Sequence, residues 1–559
     1  MSATAGAILK KEETFGDPIV TRLVNEDKTP WYKKPNLRYM YLWLFLCCMG
    51  VEMTSGCVFH EHIRQSINQH PPIFPTFQQM YVLVNLKSSP LLTRSQDFGN
   101  GLKDDKGKWA VEASLLGIIS SSYQLGSIVA VPIAPWFNNR FGRRWSILVG
   151  SVVMMIGALI QGFSQHVGMY IVARILLGMG ILFAIISGSC LIGELAHPKE
   201  RAVLTSLFNA SYFIGSIIAC AIAIATVNII GDWSWRLPSL LQMGPSVLQI
   251  ATVFLLPESP RWLVSQDREE EAYAILVKYH AEGDSDNVIV LAEMAQIRST
   301  IKLEMESNKQ SWFTMVKKAG MRRRVLIAVF LGLFTQMSGN TLLSYYTNLL
   351  YTMMGYTTSY AKTRINIANQ CWSLLSATLI ALYVTRFRRR VAFMVSSSTM
   401  VVCFVAMTIA FQRLSVADDK GVKNHAASIT AMVFYFACNN ALVYTYLIEL
   451  FPYAVRTRGI GIEQIFGKAG GFFSNFVNPI AMKAIGWKFF AIYCGWIFFE
   501  FCFQYFIYPE TRGRTLEELA FLFEGQEMAD QAVHAVEKQL GEKGGIETIE
   551  EIPSGRSAA

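Results

Sequence analysis

The chain has 559 residues, of which 52% are hydrophobic and 16% charged. A soluble protein carries about 25% charged residues, so a water-soluble globular fold is set aside. The net charge of +9 would suit a nucleic-acid binder, but the lysines and arginines form short clusters between apolar runs, with no basic face or aromatic reader motif, and that class is set aside as well.

In chain order, residues 1–36 are polar and charged and read as a cytoplasmic tail without the apolar core of a cleavable signal. A spanning helix needs roughly 20 largely apolar residues, and twelve stretches qualify. They lie near 38–57, 114–137, 145–163, 167–193, 202–228 and 237–256, then near 323–350, 361–384, 391–411, 426–450, 459–482 and 487–508. Residues 37–256 therefore read as one six-helix bundle, with an atypical insertion over about 57–113, and residues 323–508 as a second. Between them, 257–322 holds Arg268-Glu269-Glu270-Glu271 and a run from Val288 to Leu303 with apolar residues three and four apart, which predicts short surface helices in a cytoplasmic linker. Residues 509–559 form a charged cytoplasmic tail, helical and then disordered.

Three markers recur about half a chain apart. Asn139-Arg140-Phe141-Gly142-Arg143-Arg144 returns as Thr385-Arg386-Phe387-Arg388-Arg389-Arg390. Glu194-x-x-x-Pro198-x-x-Arg201 returns as Glu449-x-x-Pro452-x-x-x-Arg456. Pro257-Glu258-Ser259-Pro260-Arg261 returns as Pro509-Glu510-Thr511-Arg512-Gly513. One order at one spacing predicts two structural repeats, the construction of one class of secondary transporter. The arginines of these markers, with Lys199, Lys317, Lys318, Arg322 to Arg324 and Arg458, fall in alternate loops, which places those loops and both termini in the cytoplasm.

The ten cysteines lie almost all inside apolar runs and show no metal-ligand spacing, and His60-Glu61-His62 lacks further ligands, so it reads as a solvated loop. No metal, cofactor, nucleophile or phosphate loop is expected, and an enzyme is not expected.

Taken together, Arg-Phe-Gly-Arg-Arg at 140–144, Pro257-Glu258-Ser259-Pro260-Arg261-Trp262, Gln336-Met337-Ser338-Gly339-Asn340 with Tyr345-Tyr346, Glu449-Leu450-Phe451-Pro452 and Pro509-Glu510-Thr511-Arg512-Gly513 resemble the sugar porter family of the major facilitator superfamily. Thr29-Pro30-Trp31-Tyr32, Gly50-Val51-Glu52-Met53-Thr54-Ser55-Gly56 and Val477-Asn478-Pro479 are similar to its fungal branch of lactose permeases and cellodextrin transporters. The resemblance covers about 35–56 and 114–520. It implies an all-α membrane protein of twelve transmembrane helices in two pseudo-symmetric six-helix bundles. It further implies a monomer of the plasma membrane that carries a neutral mono- or disaccharide by alternating access, with proton symport, facilitative uniport or a non-transporting sensor as the modes.

A sugar offers hydroxyls and no charge, so amides, hydroxyls and aromatic faces are its natural partners. The family register puts Gln336 at the sugar-binding glutamine, with Asn340, Thr341, Tyr345 and Tyr346 beside it, and Asn209 at the amide of the fifth helix. Interhelical packing is the alternative role for these amides. Counting back from Arg386 places Ser373 where the family carries asparagine, next to Trp372, while Tyr444, Tyr446 and Asn439 supply the tenth helix.

Arg140, Arg143, Arg144, Glu194, Arg201, Glu258, Arg386, Glu449, Arg456 and Glu510 match the family's cytoplasmic gating network. The resemblance also assigns coupling to Arg174 and a helix-one aspartate, but this chain reads Gly56-Cys57-Val58 there and continues through His70-Pro71-Pro72 and Phe74-Pro75, outside the family pattern. Prolines so placed end a helix. The segment reads as an insertion, with translated intron sequence as one source.

Overall fold

The structure is a computed structural model. It describes residues 29–53, 102–103, 109–110, 113–226, 233–307, 319–339, 342, 359–383, 388–416, 443–451, 453–485 and 488–511.

Its elements are α1 (Pro35–Leu44), continued by a π-helical turn (Phe45–Met49), α2 (Ala113–Ala130), α3 (Ile133–Phe141), α4 (Arg143–Gly162), α5 (Val167–Leu195), α6 (Arg201–Thr226), α7 (Trp233–Leu241) and α8 (Gly244–Thr252). Three linker helices follow: α9 (Pro260–Ser265), α10 (Glu269–His280) and α11 (Val288–Ser307). The second half holds α12 (Ala319–Met337), α13 (Ser359–Tyr383), α14 (Arg389–Val416), α15 (Val443–Leu450), α16 (Tyr453–Ile485) and α17 (Lys488–Ile507). Each of the twelve predicted spans thus has helical counterparts. The second divides at Pro132 and the sixth into α7 and α8, where Pro238 inside α7 and Pro245 at the start of α8 remove backbone donors. Among the described residues, seven helices are long and apolar enough to cross a membrane. Beside the helices of this all-α fold, β1 (Leu102–Lys103) pairs antiparallel with β2 (Trp109–Ala110) within the segment 57–113.

Large apolar side chains point outward along the peripheral helices, among them Val395, Val402 and Ile409 on α14 and Ile492, Phe498 and Phe506 on α17. An apolar outer band of this kind suits lipid. Inside, helices meet at glycine. A Cβ on Gly126 would lie 2.1 Å from the Ile175 carbonyl oxygen, and one on Gly178 2.0 Å from that of Tyr123, so α2 and α5 touch backbone to backbone. Small residues permit such approach where no hydrophobic force draws helices together. The two halves repeat the device: α6 meets the first span at Gly215, whose Cβ would fall 2.0 Å from the Met53 carbonyl oxygen, and α12 meets α16 at Gly332, 2.3 Å from that of Glu463.

The linker helices share a core of Trp262, Leu263, Leu276, Val290, Met294 and Ile297. Polar ties fasten them to the first half. Glu282 accepts from the free N–H groups of Asn36 and Leu37 at the start of α1 (3.0 and 3.1 Å). His280 lies between Glu293 (2.8 Å) and the Leu195 carbonyl oxygen (3.2 Å), and Arg201 approaches Glu293 at 3.8 Å. Burial alone would raise the Glu293 carboxyl, but the charges of His280, Arg201 and Arg261 outweigh it and hold the group down at about 2. A carboxyl lowered in the fold contributes stability above its ordinary range and loses it as pH falls toward the folded value. Between pH 4.5 and 2 the α10–α11 unit is therefore expected to loosen from α5 and α6, with a loss of up to about 3 kcal/mol. Hydrogen exchange of α11 in detergent, followed from pH 7 to 3, checks this, and Glu293→Gln is expected to bring the same loosening at pH 7.

Candidate functional site

At the arginine-rich end of the molecule the two repeats build the same cluster twice. In the first half, Arg143 donates from Nε and Nη2 to the two oxygens of Glu194 (3.0 and 3.2 Å), and Ser259 Oγ donates to Glu194 Oε2 (2.6 Å). In the second, Arg389 donates from Nε and Nη2 to Glu449 (3.4 and 3.2 Å), and Thr511 Oγ1 donates to Glu449 Oε2 (2.6 Å). Glu258 accepts from the backbone N–H of Arg143 and Arg144 (3.1 and 3.2 Å), and Glu510 from those of Arg389 and Arg390 (2.8 and 3.3 Å). Each carboxylate caps a helix N-terminus, whose exposed donors and dipole favour an anion. Gly142 makes room: its φ of 93° is left-handed, and a Cβ there would stand 2.6 Å from Glu258 Oε2.

Two contacts then join the halves. Arg456 Nη1 donates to Glu194 Oε1 across the interface at 3.2 Å, with both side chains buried. Beside it, Thr457 Oγ1 donates to Asn139 Oδ1 at 3.4 Å. Glu194 therefore serves two arginines from different halves, and this end of the path is closed.

The predicted gating residues separate accordingly. Arg143, Glu194, Glu449 and Arg456 form the cluster, while Glu258 and Glu510 act on backbone N–H groups. Three expectations need correction. Arg140 is exposed and lines a groove of about 460 Å³ with Pro132, Pro135, Trp136, Asn139 and Arg458. Arg144 donates its side chain to the Phe254 carbonyl oxygen (3.0 Å) and stacks on that ring. Arg201 turns to Glu293 in the linker. Arg386 lies outside the described residues. Its neighbour Arg389 occupies the place that matches Arg143, a register the Arg-Arg pair of the repeat already contained. Arg390 mirrors Arg144 by donating to the Tyr505 carbonyl oxygen and lying over that ring.

Toward the middle of the bundle several of the buried polar residues are amides and hydroxyls. Gln336, half-buried on α12, rests against the Gly470–Gly471 backbone of α16. The α12 helix ends one residue later, and Gly339 (φ 96°) turns the chain where a Cβ would strike the Phe404 ring at 2.1 Å. Interrupted helices at this depth line substrate sites in transporters of related design. Ser338 donates both to the Phe334 carbonyl oxygen (2.6 Å) and to Glu500, which also accepts from Gln504 (2.9 Å). Asn209 is half-buried on α6, which packs along α13 of the other half.

On α13, Asn366, Asn369, Gln370 and Ser373 form a buried polar stripe at intervals of three and four. Asn366 reaches across the halves to Cys220 of α6 (3.7 Å). Ser373 donates to the Asn369 carbonyl oxygen of its own helix, and Trp372 is 39% exposed on the flank. Counting from Arg386 reached Ser373 but missed the amides one and two turns earlier, which the same periodicity carries.

Tyr446 also needs correction as a sugar contact. It is fully buried at the arginine-rich end, where its hydroxyl donates to the Pro509 carbonyl oxygen (3.0 Å) and its ring stacks on Tyr508. Arg174 approaches Tyr170, with Nη1 donating to the phenol oxygen at 3.3 Å, and Gln161 donates to the same oxygen at 3.2 Å. Asn340, Thr341, Tyr345, Tyr346, Asn439, Val58 and the side chain of Tyr444 lie outside what the structure describes.

Two helical halves that repeat one ion-pair cluster and close on each other through Arg456 and Glu194 have the build of a secondary carrier. The chain belongs to the sugar (and other) transporter family, whose sequence model matches residues 72–523. That match begins at residue 72 and so takes in most of the segment 57–113, which was expected to lie outside the family pattern; the expectation is corrected to that extent. Among its relatives, a high-affinity glucose transporter of Kluyveromyces lactis is 27% identical over 72% of this chain and 76% of its own length. A hexose transporter of Saccharomyces cerevisiae is 27% identical over 75% of each chain. The proton:xylose symporter XylE, bound to 6-bromo-6-deoxy-D-glucose, superposes with a TM-score of 0.70 at 19% identity, covering 87% of this chain and all of XylE. The fold is that of the major facilitator superfamily, the protein crosses the membrane several times, and its relatives are transporters and not enzymes.

Proposed function

We propose that this protein carries a neutral mono- or disaccharide across the plasma membrane by alternating access, as a sugar:proton symporter, with its arginine-rich end in the cytoplasm. The glucose and hexose transporters among its relatives make a hexose the first candidate, and the motifs similar to the lactose permease and cellodextrin branch make a disaccharide the second. The observation that carries the reading is the buried amide stripe of α13, set against the α6 helix of Asn209, in a membrane interior where polar groups are costly and mark substrate paths. Facilitative uniport is the second reading, favoured by Val58 where the family's helix-one aspartate would stand.

Uptake of labelled glucose, lactose and cellobiose in a transport-deficient yeast, with the proton gradient intact and collapsed, tests both readings. Saturable uptake of at least one sugar is expected, with accumulation lost on collapse; accumulation-free uptake that is equal in the two conditions would replace symport by uniport. Within that assay Gln336→Ala is expected to raise KM about tenfold, the worth of one or two neutral hydrogen bonds, with kcat changed far less. An unchanged KM would remove Gln336 from the site.

A further inference from the structure

Besides the clusters at the arginine-rich end, three charged side chains meet deep inside the interface between the halves. Glu52, in the helical turn that continues the first span, and Glu463, on α16, are both buried, with 4% and 3% of their surface exposed. Lys468 follows Glu463 by five residues. Its Nζ stands 5.4 Å from the centre of the Tyr123 ring on α2, in the opposite half, and it lies within electrostatic reach of both carboxylates. Gln464 Nε2 donates to Glu463 Oε2 at 2.9 Å. Glu463 and Lys468 come seven and twelve residues after Arg456, or about 10 and 18 Å further along the helix. They are therefore well inside the bilayer if Arg456 marks its edge.

Counting charges shows what the cluster can do. One ammonium compensates one carboxylate, and a second carboxylate at this depth has a large desolvation cost that a bound proton removes. The Tyr123 face and Glu52 draw Lys468 toward the first half while the halves are in contact. Tyr508, one residue past α17, lies within electrostatic reach of Glu463 and Glu500, so Lys468 and Tyr508 are the titratable groups that bear on Glu463, while Glu52 and Tyr123 bear on Lys468.

We propose that Glu463 is the proton-carrying carboxyl of this carrier, with Lys468 as the moving charge that couples its protonation to the separation of the halves. When the halves are together, Lys468 reaches across to Glu52 and Glu463 keeps its proton. When they part, the ammonium loses Glu52 and Tyr123 and falls back on its own helix. The Glu463 O–H bond then breaks, the proton passes to water, and the electron pair stays on the carboxylate that now pairs with Lys468. The return stroke reverses each step. This gives the carrier a coupling acid on α16 in place of one at Val58, and it rests on the symport reading above.

The full chain in proteoliposomes, with labelled D-glucose as the probe, gives two readouts: accumulation under an inward proton gradient, and glucose counterflow at equal pH. Wild type is expected to do both. Glu463→Gln and Lys468→Met are expected to lower accumulation about tenfold or more, the size of an ordinary coupling free energy, while counterflow stays within about threefold. Glu463→Asp, which keeps a titratable group, is expected to restore much of the accumulation, a rescue a packing role would not produce. Accumulation that survives Glu463→Gln, or a parallel loss of both readouts that Glu463→Asp does not repair, would overturn the assignment. Wild-type counterflow with no response to the gradient would instead overturn symport, and the proposal with it.

Discussion

Replacing Glu194 by glutamine is expected to abolish uptake, by about a hundredfold or more, and to leave the arginine-rich end open. Glutamine keeps the volume and can still accept from Ser259, so the change removes charge alone. That charge is shared by Arg143 and Arg456, whose guanidinium groups are buried and come from different halves. Losing one partner of a buried ionic set costs about 3–5 kcal/mol. A shift of that size moves a two-state equilibrium by more than a hundredfold. A cysteine placed at Asn139, where it replaces the amide that accepts from Thr457, should then react quickly with a polar thiol reagent supplied from that side, whereas the same cysteine with Glu194 present should react more slowly. Near-normal uptake by Glu194→Gln would reduce the cluster to a signal for membrane orientation.

The second large effect is steric. Gly178→Val is expected to prevent assembly of the first half, with little monodisperse protein recovered in detergent. A Cβ at this position would lie 2.0 Å from the Tyr123 carbonyl oxygen, so the obstacle is backbone and cannot swing aside. Overpacking costs about 1–3 kcal/mol where side chains can yield, and more where they cannot. Gly168→Val in the same helix, where nothing stands within 4 Å, is the matching control and is expected to leave yield and melting temperature unchanged. Equal yields from the two variants would show that α2 and α5 are not in backbone contact.

The sequence made the helices and the duplicated arrangement legible because both are one-dimensional signals: a run of about 20 apolar residues must cross the bilayer, and a repeated marker keeps its order. Glu194, the partner of both Arg143 and Arg456, stood among the gating residues that the family resemblance implied, but no pairing was assigned there. The actions of Glu258 and Glu510 could not be named, because a carboxylate that caps a helix over a hundred residues away leaves no trace in spacing. Arg140 looked equivalent to Arg143, three positions later, yet three residues turn a helix by almost a full circuit less a sixth, and the break at Gly142 sends the two side chains to different surroundings. Tyr446 misled for a related reason. An aromatic near the end of a spanning helix can face substrate or pack against the next chain segment, and the Pro509 carbonyl oxygen that decides the matter comes 63 positions later. The amides of α13 were available to periodicity, but a single reference point at Arg386 fixed attention on one turn of the helix.

The two arginine-rich turns, alike in sequence, obey different steric rules. The first bends through a left-handed glycine pressed against a carboxylate, whereas Arg388, at the matching position of the second, is not among the residues of positive φ. Exchange between them therefore runs in one direction: a glycine fits the second turn, but no side chain fits the first. The duplicated gate has one copy locked by its own backbone and one left open to drift, which explains how an extra positive charge could settle in the latter without unmaking the pair of carboxylate caps.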